Sequence, residues 1–149
     1  MGVFDGIEHV EAEGTSARQY FEPGIYSVAI NSVFLHNRRL GGGPLFVVET
    51  TVLESNNPSI RPGDRCNWVQ SFALPSALPR IKTFIGAALG FCPKRQDKEI
   101  NAQVTAEVCN EVVSSPNPLR GKRLALSCVS KITRAGKDFV QHSWGVEHG

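Results

Sequence analysis

No stretch of this chain approaches the roughly 18 consecutive apolar residues of a membrane-spanning helix. Its N-terminus lacks the charged-then-apolar pattern of a secretion signal. A cytoplasmic protein with no membrane partner is the expectation. The cysteines, Cys66, Cys92, Cys109 and Cys128, form no CxxC pair, and none has a histidine at a metal-ligand spacing. Cysteine-based zinc sites usually draw their ligands from close pairs, so separate reduced thiols are expected and no metal. There is no P-loop, no GxGxxG and no nucleophile elbow, and no helix follows Gly41-Gly42-Gly43 to receive a phosphate. Glu107 and Glu111 fall at i, i+4, the spacing of a solvated helix face. These absences argue against an enzyme and imply no cofactor. Nor is there an internal repeat, a low-complexity tract or an interdomain linker.

What is present fits one ordinary domain. The chain has 149 residues, 41% of them hydrophobic and 20% charged, enough to bury a core. A net charge of +2 is too small to imply nucleic acid by itself. Its distribution is more informative. Residues 1–30 carry Asp5, Glu8, Glu11, Glu13 and Glu22 against Arg18 alone. Residues 120–137 carry Arg120, Lys122, Arg123, Lys131, Arg134 and Lys137 with no acid among them. Such segregation can build a basic face on a nearly neutral protein.

The hydrophobic period assigns the elements. Residues 1–22 read as an N-terminal arm, and Pro23-Gly24 as a turn. Residues 25–35 alternate, with Tyr26, Val28 and Ile30 on one face, and residues 45–54 form a second strand rich in Val and Thr. Residues 65–72 alternate again, setting Cys66, Trp68, Gln70 and Phe72 opposite Arg65, Asn67, Val69 and Ser71. The period then changes to helical: Ile81, Phe84, Ile85, Ala88 and Leu89 share one face after a cap at Ser76. A second helix is expected over residues 98–113, where Ile100, Val104, Val108 and Val112 recur every fourth position. Two strands close the chain, at residues 122–130 and 139–146, joined by a turn at Arg134-Ala135-Gly136-Lys137.

The fold expected from this order, β-β-β-α-β-β, is mainly β with a helical insertion: a single five-stranded OB-like barrel over residues 23–149, with helices across about 76–113. In such a barrel the first and last hairpins flank the oligonucleotide-binding face. Here both are basic and contain glycine: His36-Asn37-Arg38-Arg39-Leu40-Gly41-Gly42-Gly43, and Lys131-Ile132-Thr133-Arg134-Ala135-Gly136-Lys137. Cations meet phosphates, and glycine permits close approach. Arg38, Arg39, Lys131, Arg134 and Lys137 are therefore the expected phosphate contacts. Alternation makes Arg65 and Arg123 candidate floor contacts. Phe34, Trp68 and Trp144 are the stacking candidates, with Phe139 beside them. Trp68 shares a face with Cys66 and Phe72, so a core role competes for it.

Several segments support a resemblance. Phe21-Glu22-Pro23-Gly24-Ile25-Tyr26-Ser27-Val28, Leu45-Phe46-Val47-Val48-Glu49 and Val52-Leu53-Glu54-Ser55 resemble a phage-encoded family first catalogued as a domain of unknown function. So do Ile81-Lys82-Thr83-Phe84-Ile85, Asn117-Pro118-Leu119-Arg120-Gly121-Lys122-Arg123 and Gly136-Lys137-Asp138-Phe139. The likeness spans about residues 23–144. It implies an OB-fold protein binding single-stranded DNA in phage replication or recombination, with proteins of those processes as partners and no catalytic group. The chain departs from the better-known replicative single-stranded-DNA-binding proteins in ending Trp144-Gly145-Val146-Glu147-His148-Gly149 rather than in an acidic tail. The alternative is a structural or protein-interaction OB module, such as a phage virion or assembly component. In that reading the acidic arm would dock on the basic loops of a neighbouring copy, giving a homo-oligomer.

Overall fold

A computed structural model describes residues 19–37 and 43–146. Its strands are β1 (Gln19–Tyr20), β2 (Gly24–Asn37), β3 (Pro44–Ser55), β4 (Arg65–Ser71), β5 (Arg123–Ile132) and β6 (Asp138–Val146). Three helices, α1 (Ala77–Ala88), α2 (Asp97–Gln103) and α3 (Ala106–Val112), lie between β4 and β5. The protein is mainly β. Five strands form one antiparallel sheet in the order β4-β3-β2-β5-β6, and two-residue β1 adds in parallel to β4. Arg38 and Arg39 lie outside the described residues.

The long strand β2 organises this sheet. It pairs with β3 from Tyr26 to Asn37 and with β5 from Gly24 to Ala29. Its register with β3 shifts between Ser27 and Val28 and again between Ile30 and Ser32. Bulges of this kind bend a strand and increase its twist, which lets one strand serve two partners. On its inner face Tyr26, Val28 and Ile30 are buried at period two, and Val33 joins them because the bulge between Ile30 and Ser32 shifts the alternation by one residue.

The sheet curls without closing. β4 and β6 end the antiparallel set, and the outer edge of β6 pairs with no strand among the described residues. The two ends meet through side chains instead. Trp68 of β4 and Trp144 of β6 have ring centroids 5.5 Å apart, and Phe84 of α1 lies 5.5 Å from Trp68 and 4.9 Å from Trp144. Phe46 of β3 completes the box at 5.9 Å from Phe84. Aromatic bodies thus occupy space that a closing ladder, with strands about 4.8 Å apart, would leave too narrow.

The end of the expected N-terminal arm belongs to this assembly. Gln19 and Tyr20 register with Cys66 and Asn67, and Phe21 is buried at 6.4 Å from Trp144. The second helix also differs from its expectation. Val104 leaves the helical region and Thr105 is extended, its hydroxyl accepting from Val108 N–H at 3.3 Å. A threonine that caps a new helix competes with continuing the old one, so the four-residue period is split between α2 and α3. Packing of α2 on α1 needs Gly86, because a Cβ there would come within 2.6 Å of the Ile100 side chain.

None of the four cysteines is in a disulfide. Burial pushes the Cys66 thiol up to about 11 and the Cys128 thiol up to about 12. Both behave as small apolar core groups. Among the described residues no helix is long and apolar enough to cross a membrane, and no cluster of His, Cys, Asp and Glu could hold a metal ion.

Candidate nucleic-acid interface

The face of β2, β3 and β4 turned away from the core is built by the strand register. Phe34, Val47 and Val69 form one row across the three strands. The next row toward the first hairpin is His36, Leu45 and Ser71. In the opposite direction Ser32 pairs with Glu49, its hydroxyl 2.5 Å from Glu49 Oε1, and Asn67 continues that row. A further row contains Arg123, Ala29, Thr51 and Arg65, with an exposed arginine at each end. Three strand spacings separate these arginines, about 14–15 Å. Phe34 is half-buried on this face.

Beside the face lies a groove of about 500 Å³ between β4 and β6. β3 and β4 contribute Leu45, Asn67, Val69 and Ser71, and the segment leading into α1 contributes Leu74, Ser76 and Arg80. β6 and its hairpin contribute Thr133, Phe139, Val140 and His142 from the opposite side. Tyr20 stands at the rim, 67% exposed, and Phe139 is 36% exposed. Among the described residues, Arg80 is the one lining group with a full charge at neutral pH, and no carboxylate lines the groove. Leu45 registers with His36 at the base of the first basic hairpin, and Thr133 begins the tip of the second. The flanks of both hairpins therefore converge on one groove.

The second hairpin is well defined. Gly136 N–H donates to Thr133 C=O at 2.9 Å, and Lys137 N–H donates to the Thr133 hydroxyl at 3.1 Å. Gly136 has φ +80°, the left-handed conformation that closes this tight turn and that glycine adopts without strain. Lys131, Arg134 and Lys137 are all exposed on it. Lys131 registers with Phe139, so a cation and an accessible ring share one rung.

Two stacking candidates are corrected. Trp68 and Trp144 are each 5% exposed, held in the aromatic box against Phe84. Alternation assigned them to a face but could not say that this face turns inward onto α1. Exposed rings are instead supplied by Tyr20 and Phe139. Tyr20, Arg80 and His142 were missed as groove residues. No local pattern marks them, since β1, α1 and β6 meet here from distant parts of the chain.

His142 is the unusual group of the groove. Burial drives its pKa down to about 4 against a backbone hydrogen bond at Val140 that favours the charged ring, and nearby Arg80 lowers it further. The unfolded chain binds this proton with a pKa near 6.5. Between about pH 6.5 and 4 the unfolded state therefore holds more protons, and stability falls as the pH is lowered. The expected loss is on the order of 2–3 kcal/mol by pH 4. Urea unfolding at pH 7.5 and 4.5 of wild type and His142→Gln checks it: the variant should lose less stability on acidification. An equal loss in both would assign the acid sensitivity to other groups.

No protein-family model matches this chain, and no curated protein is significantly similar to it.

Proposed function

We propose that this protein binds single-stranded DNA, largely without regard to sequence, as an accessory to phage DNA replication or recombination. The observation that carries the reading is that the flanks of both basic hairpins, at Leu45 and Thr133, line one groove rimmed by exposed Tyr20 and Phe139, with Arg80 inside it and no carboxylate among its described lining residues. Phosphates would be met by Lys131, Arg134 and Lys137, with Arg38 and Arg39 assigned by the sequence pattern alone. Arg65 and Arg123 would hold a strand crossing the outer face of the sheet. Bases would stack on Tyr20, Phe139 and Phe34, each contact being worth about 1–3 kcal/mol.

The strand order β4-β3-β2-β5-β6, with helices between β4 and β5, agrees with that of an OB barrel. In that architecture β2–β3 and β5–β6 are the two hairpins that frame an oligonucleotide. The resemblance of residues 23–144 to a phage-encoded family supports the biological setting, a host cytoplasm in which replication or recombination proteins would be partners.

The test is a fluorescence-anisotropy titration of a labelled oligo-dT at about 50 and 200 mM salt. Five phosphate contacts would lower affinity roughly 100-fold between the two conditions. Absence of binding at the lower salt would overturn the proposal.

A second reading, a structural or protein-interaction module, is favoured by the outer edge of β6, which pairs with no strand among the described residues. An exposed edge offers backbone donors and acceptors to a strand of another chain, including a second copy. Binding of that kind should depend far less on salt.

A further inference from the structure

Strand β5 carries a cation at each end of one face. Leu124, Leu126 and Cys128 are buried, so alternation turns Arg123, Ala125, Ser127, Val129 and Lys131 outward. The register sets beside them alternate residues from Phe139 to Gly145 on β6 and from Ile25 to Ala29 on β2. None of the residues on this strip is a carboxylate. Glu54 of β3 stands opposite Ser27 and bounds the strip on that side. Lys131 and Arg123 are eight residues apart, about 27 Å along the strand.

Both ends of the strip run into fixed structure. Beyond Lys131 comes the hairpin that bears exposed Arg134 and Lys137, closed by the hydrogen bond from Gly136 N–H to Thr133 C=O. Before Arg123 the chain is tied to the bulge of β2. Gly121 N–H donates to Ile30 C=O, and Ile30 N–H donates to Lys122 C=O, each at 2.8 Å. Exposed Arg120 donates from Nε to Asn31 C=O at 3.1 Å, a bond that uses one of its five N–H donors. The Asn31 amide in turn donates to the Thr51 hydroxyl at 2.9 Å, and Thr51 lies in the row of Arg123. Arg120 and Arg123 are thus held at the same end of the strip.

A chain of phosphates laid along β5 meets cations at both ends and no like charge between them. Apolar surface for its bases is present as well. Ile25, opposite Ser127, is 63% exposed, Val129 is 46% exposed, and Phe139 shares the rung of Lys131. A length of about 27 Å suits a single strand of several nucleotides, within the roughly 4–16 that one OB fold covers.

We infer that single-stranded DNA leaves the groove at Phe139 and runs along the outer face of β5 to Arg123 and Arg120. This rests on the single-stranded-DNA reading above. It adds Arg120 as a phosphate contact and gives the strand a path apart from the face of β2, β3 and β4.

The test compares wild type with Arg120→Ala/Arg123→Ala, Ser127→Glu and Gln103→Glu, each checked for folding by circular dichroism. Anisotropy with an oligo-dT of about 12 nucleotides is measured between about 50 and 200 mM salt. The double variant should make the slope of log affinity against log salt shallower by about 1.4, two contacts' worth for a single strand. Ser127→Glu puts a carboxylate at the middle of the strip and should weaken binding about tenfold at the lower salt. Gln103→Glu makes the same charge change at an exposed position on α2, which packs on α1, and should leave binding within about twofold. An unchanged slope in the double variant, or equal effects of the two Glu changes, would overturn the strip while leaving DNA binding intact. If wild type does not bind the oligomer at all, the strip and the functional reading fall together.

Discussion

Phe84→Ala should lower the unfolding free energy by about 3–5 kcal/mol, the range for deleting a fully buried aromatic ring. Phe84 has no exposed surface, and its neighbours are Phe46 at 5.9 Å, Trp68 at 5.5 Å and Trp144 at 4.9 Å. These rings come from β3, β4 and β6, so one helix residue is the plug on which three strands converge. Large rigid rings collapse poorly into a vacated site, which places the cost toward the top of that range. A domain of ordinary stability has only about 5–15 kcal/mol in total. The melting temperature should accordingly drop by at least about 10 °C. Chemical denaturation with intrinsic Trp fluorescence would measure the loss directly, since both tryptophans lie in the box. A change below about 1 kcal/mol would show that the curl of the sheet does not depend on α1. Phe84→Leu should recover part of the loss by refilling volume.

Removing the hairpin cations should have the largest effect on binding. The triple change Lys131→Ala, Arg134→Ala, Lys137→Ala alters only exposed side chains on β5 and in the turn that follows it, and leaves the Thr133–Gly136 backbone turn in place. Stability should therefore stay within about 0.5 kcal/mol of wild type. If each cation meets one phosphate, the slope of log affinity against log salt should become shallower by about 2. At 50 mM salt that corresponds to a loss of about two orders of magnitude in affinity for oligo-dT. The salt slope separates this role from a general one, because a variant weakened by misfolding would not lose slope in proportion to charge. An unchanged slope would remove this hairpin from the interface.

Much of the fold was legible along the chain. Period two over residues 25–35, 45–54 and 65–72 marked β2, β3 and β4, because burial of one sheet face imposes alternation whatever the packing partner. The face of α1 was equally plain from Ile81, Phe84, Ile85 and Ala88. The break at Val104 and Thr105 was not, because a four-residue apolar period continues across it. Only the hydroxyl of Thr105 turning back to Val108 N–H ends one helix and starts another. Whether the sheet closes was also beyond local pattern. Whether two edge strands pair or stand apart depends on side chains such as Trp68 and Trp144, which lie far apart in sequence.

The candidate site divides in the same way. Composition and order alone located two basic hairpins and gave Lys131, Arg134 and Lys137 an exposed setting, since a glycine-containing turn between alternating strands is solvated in any packing. Alternation also put Arg65 and Arg123 on the polar face of their strands. Tertiary structure decided which rings stack and which fill the core. Trp68 and Trp144 turned inward onto Phe84, while Tyr20 and Phe139 remained at the rim of the groove. It also brought Arg80 and His142 to that groove from elements more than fifty residues apart in sequence. A strand's period reports that one face is buried, but what covers it is set by contacts between distant elements. The hairpin charges belong to the sequence, and the groove between β4 and β6 belongs to the fold.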